Sequence, residues 1–394
     1  MDLLPEMSKS INYELPLTCR IQRMSIKRKP VILHIIDHWG LGGAQRSLAT
    51  LVRHESTCEH KIAVLFANRI HKWVSPVQPF FLGHRYANLP SILSRLRHLM
   101  KSQKLDIIQV HLNGSRFVFW LATLGFKKLP PVIWHEHSGE EIFDRFGENP
   151  GKILIFLQRL MLKKISAVIA DSPYIKEFCS RHFNVRAPKL KLIYYPIDVD
   201  NILSQADRSP DGGFPDIRKG DEFVGFVGRL SSQKGLEDLF EIAGRLVADR
   251  PRCRIWIVGD GPLKDFYFNK TAISKYADRF FFWGARHDVY AIMKHMDLLL
   301  MPSRYEPFGL VAMEAFLLGK PVVGYKVGGL AKLLEDFPLG FGIPYGNREA
   351  MYQQAFRLLE GPNKIEQKLD NPFEASRVAR EWGQYYQELL NSRE

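Results

Sequence analysis

Cysteine is scarce in this chain, with only four in 394 residues. Cys19, Cys58, Cys179 and Cys253 are scattered, form no Cys-x-x-Cys pair and have no His-x₃₋₅-His partner. This argues against a structural zinc site and against a disulfide framework, and it favours a reducing compartment.

Long apolar runs are also missing. Although 46% of the residues are hydrophobic, no run reaches the ~18–20 residues that a membrane-spanning helix needs. Residues 1–29 carry charge but no apolar core of signal-peptide type before Lys27-Arg28-Lys29. We therefore expect an irregular N-terminal extension over 1–29 and a cytoplasmic location.

Acidic residues are too few to balance the basic ones in the first half. All of the net charge of +13 comes from residues 1–205, because basic and acidic residues balance in the remainder. Basic residues there neighbour apolar clusters, as Lys152 and Arg159 do around Ile153 to Phe156. Such a surface favours peripheral contact with an anionic membrane at its cytoplasmic face, although solvated helix faces would have the same composition. No nucleic-acid motif accompanies the charge, so we expect no nucleic-acid partner.

Short apolar runs alternate with helical patterns along the rest of the chain. The first half contains six runs of buried-strand type, at 31–36, 61–66, 106–111, 131–135, 167–170 and 191–194. The second half contains five, at 222–227, 254–258, 280–283, 297–301 and 321–324. Strands that alternate with helices predict parallel sheets built from βαβ units.

A segment rich in loop-forming residues separates the two halves. Ser209-Pro210-Asp211-Gly212-Gly213 and Pro215 interrupt the pattern, which predicts a linker over 201–220. We therefore predict an α/β chain of two Rossmann-like, doubly wound parallel-sheet domains, 30–200 and 221–372, that face each other across a cleft. The segment 373–394 reads as a helix that would cross back onto the first domain.

Two glutamates stand eight residues apart in the stretch from Ser303 to Phe316. Pro307 suits the first turn of a helix that Gly319 would end, and the helix N-terminus is a seat for phosphate. On one regular helix, Glu306 and Glu314 would lie ~12 Å apart, whereas the carboxylates of retaining hydrolases lie roughly 5–5.5 Å apart. The pair therefore suits two ends of one elongated ligand, such as a nucleotide-sugar, better than a hydrolytic dyad.

Glycine-bounded loops follow three of the predicted strands. They are Gly40-x-Gly42-Gly43, then Gly228 to Gly235 with Arg229 and Lys234, and then Gly259-Asp260-Gly261-Pro262. Glycine lets the backbone approach a phosphate closely. Two cations on the second loop could neutralise a diphosphate without a metal.

These motifs together carry a family resemblance. Gly228-Arg229-Leu230 with Lys234-Gly235, Val258 to Pro262, Asp297 to Ser303, Glu306 to Gly309, Glu314-Ala315 and Gly328-Gly329 stand in one order over about 110 residues. The second half thereby resembles retaining glycosyltransferases of the GT-B fold, family GT4, also called glycosyltransferase group 1. The first half is similar more loosely, through Gly42-Gly43-Ala44-Gln45-Arg46, His111 and the 132–138 strand and turn.

The resemblance implies catalytic roles for a few positions. Arg229 and Lys234 would hold the donor diphosphate and stabilise the departing nucleoside diphosphate. Glu306 would contact hydroxyls of the donor sugar. A histidine after the fourth strand would hydrogen-bond that sugar, and of His135 and His137 we prefer His137.

The resemblance also implies a wider donor-binding set. Glu314 would bind the ribose, the nucleotide base would lie near Arg286, and the remaining positions would line the phosphates and the sugar: Gly42, Gly43, Gly259, Phe308, Gly309, Leu310 and Val311. Tyr195 departs from the pattern, because many members have asparagine there. We interpret Asp198-x-Asp200, which superficially resembles a metal-binding motif, as structural.

The activity implied is a retaining, metal-independent transfer from a nucleotide-sugar, such as a UDP- or GDP-sugar, with no cofactor. The acceptor would be a glycan or a lipid-linked molecule of cell-envelope polysaccharide or glycolipid synthesis. Two alternatives stay open: a nucleotide-sugar epimerase of the same architecture, and a glycosyltransferase that acts on a small soluble acceptor.

Overall fold

The computed structural model describes residues 28–40, 42–67, 77–83, 88–139, 148–215, 217–361 and 371–392. Within them the chain forms two parallel β-sheets, each flanked by helices. Most of the predicted extension 1–29 lies outside the described residues; Arg28 forms a salt bridge with Asp106.

The first sheet has seven strands in the order β3-β2-β1-β4-β5-β6-β7. Its strands are β1 Val31–Ile36, β2 Glu59–Val64, β3 Phe80–Phe81, β4 Ile107–His111, β5 Val132–Glu136, β6 Ala167–Ala170 and β7 Leu190–Leu192. The helices along this half are α1 Gly43–His54, α2 Leu89–Ser102, α3 Asn113–Ala122, α4 Glu148–Met161 and α5 Pro173–Phe183.

The second sheet has six strands in the order β10-β9-β8-β11-β12-β13. Its strands are β8 Glu222–Val227, β9 Cys253–Val258, β10 Phe280–Gly284, β11 Leu298–Met301, β12 Val322–Tyr325 and β13 Gly340–Ile343. The helices are α6 Val199–Ala206, α7 Leu236–Asp249, α8 Lys264–Ala272, α9 Val289–Met293, α10 Leu310–Leu317, α11 Gly328–Asp336, α12 Arg348–Glu360 and α13 Ala375–Asn391.

The central strands are buried on both faces, which is why they appear in the sequence as continuous apolar runs. All six residues of β1 and all four of β11 are buried. Every strand pairing is parallel, as β1 with β4 and β8 with β11 show. The prediction of two parallel-sheet α/β domains is confirmed.

Helix α13 packs on the first sheet although it follows the second in the chain. Trp382 and Tyr386 are fully buried and join a core cluster with Ile32, Ile107 and Ile133 of that sheet. Glu374 caps the helix by accepting hydrogen bonds from the N–H groups of its first turn. The apolar face of α13 is thus part of the N-terminal core.

Three local features differ from the sequence expectation. Glu306 and Pro307 lie in a loop, because α10 begins only at Leu310, after Gly309; the placement of Pro307 in the first helical turn is wrong. The predicted linker 201–220 begins inside α6, where Ile202 packs into the second core. The sequence pattern does not predict strands β3 and β13. Strand β3 has only two residues, and β13, Gly340–Ile343, contains two glycines that favour loops.

We predict that Trp382→Ala lowers the free energy of unfolding by about 3–5 kcal/mol, because it removes a fully buried indole and leaves a cavity. Chemical denaturation monitored by circular dichroism measures the loss. Ile273→Ala is the control, because Ile273 is 89% exposed and its truncation should leave stability nearly unchanged. Equal effects of the two substitutions would contradict the packing described for α13.

Candidate active site

The loop between β11 and α10 faces the other half of the chain. It runs from Pro302 to Gly309, and Gly309 adopts φ +100°, a left-handed conformation that favours glycine. The Ala312 and Met313 N–H groups donate to the Gly309 carbonyl oxygen, whereas a helix provides no preceding carbonyl for its very first N–H groups, here those of Leu310 and Val311. A negatively charged ligand would be stabilised at this helix N-terminus.

Glu306 and Lys234 are brought together although 72 residues separate them in sequence. Lys234 lies just after β8 and forms a salt bridge with Glu306, and both side chains are mostly buried. Arg229, on the same loop, is exposed. The loop after β8 thus presents one exposed cation, Arg229, and one cation, Lys234, that pairs with the carboxylate predicted to contact the sugar.

Glu314 is held by a residue of the opposite half. The Arg46 guanidinium on α1 lies 2.7 Å from the Glu314 carboxylate, and the Tyr290 hydroxyl donates to the same carboxylate at 3.0 Å. Burial raises the pKa of Glu314, and the charge of Arg46 opposes this rise. Arg46 therefore bridges the two halves at the position predicted to bind ribose.

The Gly42-Gly43 turn lies directly against α10. Gly42 caps α1, and a Cβ atom built on Gly43 would come 3.0 Å from Leu310 Cδ1. Val311 follows Leu310 on the partly exposed side of the helix start. The two glycines thus allow the first half to approach the loop that carries Glu306.

The other predicted donor-binding residues lie at the ends of neighbouring strands. Gly259 directly follows β9 with φ +142°, and a Cβ atom built on it would fall 1.8 Å from the Gly228 carbonyl oxygen, so the loops after the two strands pack tightly. Arg286 follows β10, forms a salt bridge with Asp288 and donates to the Asp211 carbonyl oxygen at 2.7 Å. Arg286 is therefore already bound within the protein.

His137 is buried and both of its ring nitrogens are engaged. Nε2 shares a hydrogen bond with His111 Nδ1 at 3.1 Å, while Nδ1 lies 2.7 Å from the Tyr195 hydroxyl and 3.1 Å from Asp171. A hydrogen bond from His137 to a sugar would require one of these contacts to open. Its role as a sugar ligand stays a prediction.

His135, the other candidate, points into the same buried cluster. Its Nδ1 lies 3.1 Å from Gln109 Nε2, and its Nε2 has no hydrogen-bond partner among the described residues. One nitrogen from each of His111, His135 and His137 lies within 4.8 Å of the others. Because His111 Nδ1 and His137 Nε2 share a hydrogen bond at 3.1 Å, we interpret the cluster as hydrogen-bonded imidazoles. The absence of a metal stays a prediction.

Three contacts fasten the loop 305–308 to the first half. The Tyr305 hydroxyl donates to the Ser138 carbonyl oxygen, and Ser172 Oγ donates to the Pro307 carbonyl oxygen at 2.9 Å. The Phe308 ring packs edge-on against Tyr195 with 5.1 Å between centroids. Glu306 is therefore positioned by both halves of the chain.

Family models match both halves of the chain. The description "Glycosyl transferases group 1" covers residues 211–372, and "Glycosyltransferase Family 4" covers residues 41–201. A 2-deoxystreptamine N-acetyl-D-glucosaminyltransferase of Streptomyces fradiae is 36% identical over 70% of this chain and 67% of its own length. The chain is a group 1 glycosyltransferase.

Further similarities agree with this family. A 2-deoxystreptamine glucosyltransferase of Streptomyces kanamyceticus is 30% identical to this glycosyltransferase over 76% of the chain and 78% of its own length. An Anabaena HepE structure in complex with UDP-glucose superposes with a TM-score of 0.66 at 21% identity, covering 92% of this chain and 99% of that one. The structural similarity shows the shared two-domain fold.

Sequence reasoning gave no role to three residues that the fold brings to the site. Arg46 lies within the Gly42 to Arg46 motif that contributes to the family resemblance, and this position is the sequence signal that could have identified it. Tyr290 and Asp171 gave no signal, because their proximity to Glu314 and His137 arises only from packing between distant segments. Among the described residues, no helix is long and apolar enough to cross a bilayer.

We predict that Arg46→Met lowers the melting temperature of this glycosyltransferase, because it leaves the buried Glu314 carboxylate without its cation. The second substitution Glu314→Gln, added to Arg46→Met, should recover part of the loss. Arg53→Met is the matched control, since the Arg53 pair with Asp198 is more exposed. A larger effect at Arg53 than at Arg46 would contradict the bridge described here.

Proposed function

We propose that this glycosyltransferase moves a sugar from a nucleotide-sugar, such as a UDP- or GDP-sugar, to a glycan or lipid-linked acceptor, with retention and without a metal. The observation that carries the proposal is the pairing of Lys234 with Glu306 just before the N-terminus of α10, where Gly309 provides no side-chain cap. A cation, a carboxylate and the N-terminus of a helix at one place match a diphosphate joined to a sugar.

The chemistry follows from these charges. The acceptor hydroxyl would attack the anomeric carbon on the face from which the diphosphate departs, while a phosphate oxygen takes the hydroxyl proton. Arg229 and Lys234 would neutralise the charge that develops on the leaving diphosphate. Metal independence is proposed because these cations would supply the charge that a divalent ion supplies in other transferases.

Closure of the two halves would exclude water and so limit hydrolysis of the donor. Glu306 would accept hydrogen bonds from sugar hydroxyls once the donor displaces Lys234 onto the diphosphate. Glu314 would accept from the ribose after Arg46 moves aside. Each of these two carboxylates would thus exchange its present cation for hydroxyl groups of the donor.

The relatives support two acceptor classes. A Campylobacter jejuni relative, 24% identical over 82% of this chain, is named for transfer to a diphospho-undecaprenol-linked sugar. The Streptomyces relatives are named for 2-deoxystreptamine, a small soluble acceptor. We propose the lipid-linked or glycan acceptor of the cell envelope first, because an exposed surface of the first half favours a membrane.

That surface is one face of α4. Ile153, Phe156, Leu157 and Leu160 recur at the i, i+3, i+4, i+7 spacing and are between 40% and 62% exposed. Lys163 and Lys164 follow at the end of the helix, and both are exposed. Apolar side chains beside cations suit the boundary of an anionic bilayer, and we propose that α4 docks there, at the cytoplasmic face of the membrane.

We predict that Lys234→Met lowers the rate of sugar transfer by about 100-fold or more, because it removes a cation aimed at the leaving diphosphate. The assay incubates the protein with UDP-, GDP- and ADP-sugars and with lipid-linked, oligosaccharide and 2-deoxystreptamine acceptors, with and without EDTA. Product analysis identifies the anomeric configuration.

Lys326→Met is the matched control, since Lys326 is an exposed lysine of the same half that pairs with Glu335. It should leave transfer unchanged. Full activity of Lys234→Met would refute the assigned role, and loss of activity in EDTA that Mg²⁺ restores would refute metal independence. Conversion of the donor without any acceptor would favour an epimerase.

We predict that the double substitution Ile153→Ser and Phe156→Ser weakens binding to vesicles that contain phosphatidylglycerol at least tenfold, because it removes two exposed apolar anchors. Vesicle sedimentation at increasing salt measures the binding. Phe266→Ser is the control, because Phe266 is 60% exposed on α8 of the other half. Binding that is insensitive to both anionic lipid and the double substitution would contradict docking through α4.

A further inference from the structure

One buried carboxylate holds the turn that follows β5. Glu136 is the last residue of β5, and its side chain is only 2% exposed. Its Oε1 atom accepts hydrogen bonds from the backbone N–H groups of the next three residues, His137, Ser138 and Gly139, at 3.1, 2.9 and 3.3 Å. Successive N–H groups that converge on one point form a site for an anion, and here the anion is a side chain of the same turn.

The second oxygen of this carboxylate is paired with a buried cation. Arg116 Nη1 of α3 donates to Glu136 Oε2 at 2.5 Å, and Arg116 Nη2 donates to the His135 carbonyl oxygen at 2.8 Å. The guanidinium also lies 4.1 Å from the centre of the Trp134 ring. Arg116 is thus held against β5, and it fixes the direction in which the Glu136 side chain points.

A carboxylate suits both sides of Glu136, whereas an amide does not. An ionised carboxylate accepts hydrogen bonds at both oxygens, while an amide accepts at one end and donates at the other. A glutamine at this position would turn its NH₂ group either toward the Arg116 guanidinium or toward the N–H groups of the turn. Donors would face donors in both cases, so we expect the amide to release either Arg116 or the turn.

The turn 137–139 lies in contact with the loop 305–308. The Ser138 carbonyl oxygen accepts a hydrogen bond from the Tyr305 hydroxyl. Gly139 adopts φ +53°, and a Cβ atom built on it would come 2.5 Å from the Tyr305 hydroxyl oxygen. Tyr305 therefore fits only against a turn of this shape, and Glu306 is the next residue in the chain.

The same turn places His137 at the end of a row of four histidines. His60, His34, His111 and His137 lie on or just after four neighbouring strands and are joined in that order at 2.9, 3.1 and 3.1 Å. The His137 side chain thus leads back into the first sheet, while the Ser138 carbonyl group faces the second half. Loss of the turn would disturb both residues, so the two routes need separate tests.

We propose that Glu136 is a positioning residue of this glycosyltransferase. Its carboxylate, oriented by Arg116, shapes the turn 137–139 so that the Ser138 carbonyl oxygen meets the Tyr305 hydroxyl, and this contact sets the position of Glu306. The proposal rests on the contact between Glu306 and the donor sugar proposed above. Glu136 acts through the turn and not by contact with the donor.

The first test is Glu136→Gln, assayed with the nucleotide-sugar and the acceptor that support transfer. We expect kcat to fall by about tenfold or more, because a displacement of about 1 Å at a reacting group costs up to about 100-fold. The donor KM should change by less than about threefold, since the proposed diphosphate ligands Arg229 and Lys234 lie on another loop.

Tyr305→Phe completes a double-mutant cycle with Glu136→Gln. Tyr305→Phe removes the hydroxyl that donates to Ser138, so it should lower kcat by itself. If Glu136 acts through this contact, the double variant should be no slower than the slower single variant. Multiplied effects of the two substitutions would show that Glu136 acts by another route, such as His137, and would overturn the proposal.

Hydrogen exchange followed by mass spectrometry measures the same link without catalysis. Glu136→Gln should speed exchange in residues 302–309 by about threefold or more, because the loop loses a contact that fastens it. Unchanged exchange in this segment of the folded variant would overturn the proposal. If no nucleotide-sugar supports transfer, the proposed function fails, but the exchange rates still decide whether Glu136 positions the loop.

Glu222→Gln is the matched control. It makes the same chemical change at a carboxylate that accepts two hydrogen bonds from Arg250, at 2.7 and 2.6 Å. Glu222 begins β8, at the end of the parallel second sheet opposite to the loop that follows β11. Its substitution should leave kcat and the exchange of residues 302–309 unchanged, and equal effects of the two substitutions would contradict the proposal.

Glu136→Asp keeps the proposal testable if the amide variant does not fold, which near-UV circular dichroism shows. Aspartate retains the charge that pairs with Arg116, but it is one methylene shorter and cannot reach both the guanidinium and the three N–H groups of the turn. We expect the same direction of change in kcat and in exchange. A folded Glu136→Asp variant with unchanged kcat and unchanged exchange would overturn the proposal.

Discussion

The loop from Tyr305 to Gly309 depends on contacts that neither half of the chain can make alone. Its hydroxyl and carbonyl groups bond to Ser138 and Ser172 of the first half. Its other side rests on α11, where Gly329 N–H donates to the Glu306 carbonyl oxygen at 2.9 Å. The orientation of Glu306 is therefore a property of the assembled pair of domains.

One of the two ion pairs at the site lies within the second half, and the other joins the two halves. Lys234 with Glu306 and Arg46 with Glu314 each neutralise a mostly buried carboxylate. A buried charge without a partner is costly, so each carboxylate needs a cation whenever no ligand is present. Glu306 takes its cation, Lys234, from the loop after β8 in the same half of the chain. Glu314 takes its cation, Arg46, from α1 of the other half. A ligand that carries hydroxyls for the glutamates and phosphates for the cations would satisfy all four groups at once.

Much of the architecture follows from local sequence. Runs such as Val31–Ile36 and Leu298–Met301 are apolar on both faces, so only a central parallel strand accommodates them. The glycine at 309 permits the positive φ that starts α10. Strand β13, with its glycines at 340 and 342, could not be predicted, because pairing with β12 overrides its weak strand propensity. The start of α10 was misplaced because proline at 307 suits a loop as well as a first turn.

The sequence by itself determined the two α/β halves, the family and the residues that carry charge at the ends of β8 and β11. Periodicity and motif spacing record these features, because they depend on neighbours close in the chain. Only the tertiary structure decided that Arg46 reaches Glu314, that both nitrogens of His137 are engaged, and that four histidines from separate strands form one series. Such contacts depend on the order of strands in a sheet and on the approach of two domains, and no local pattern encodes the distances between them.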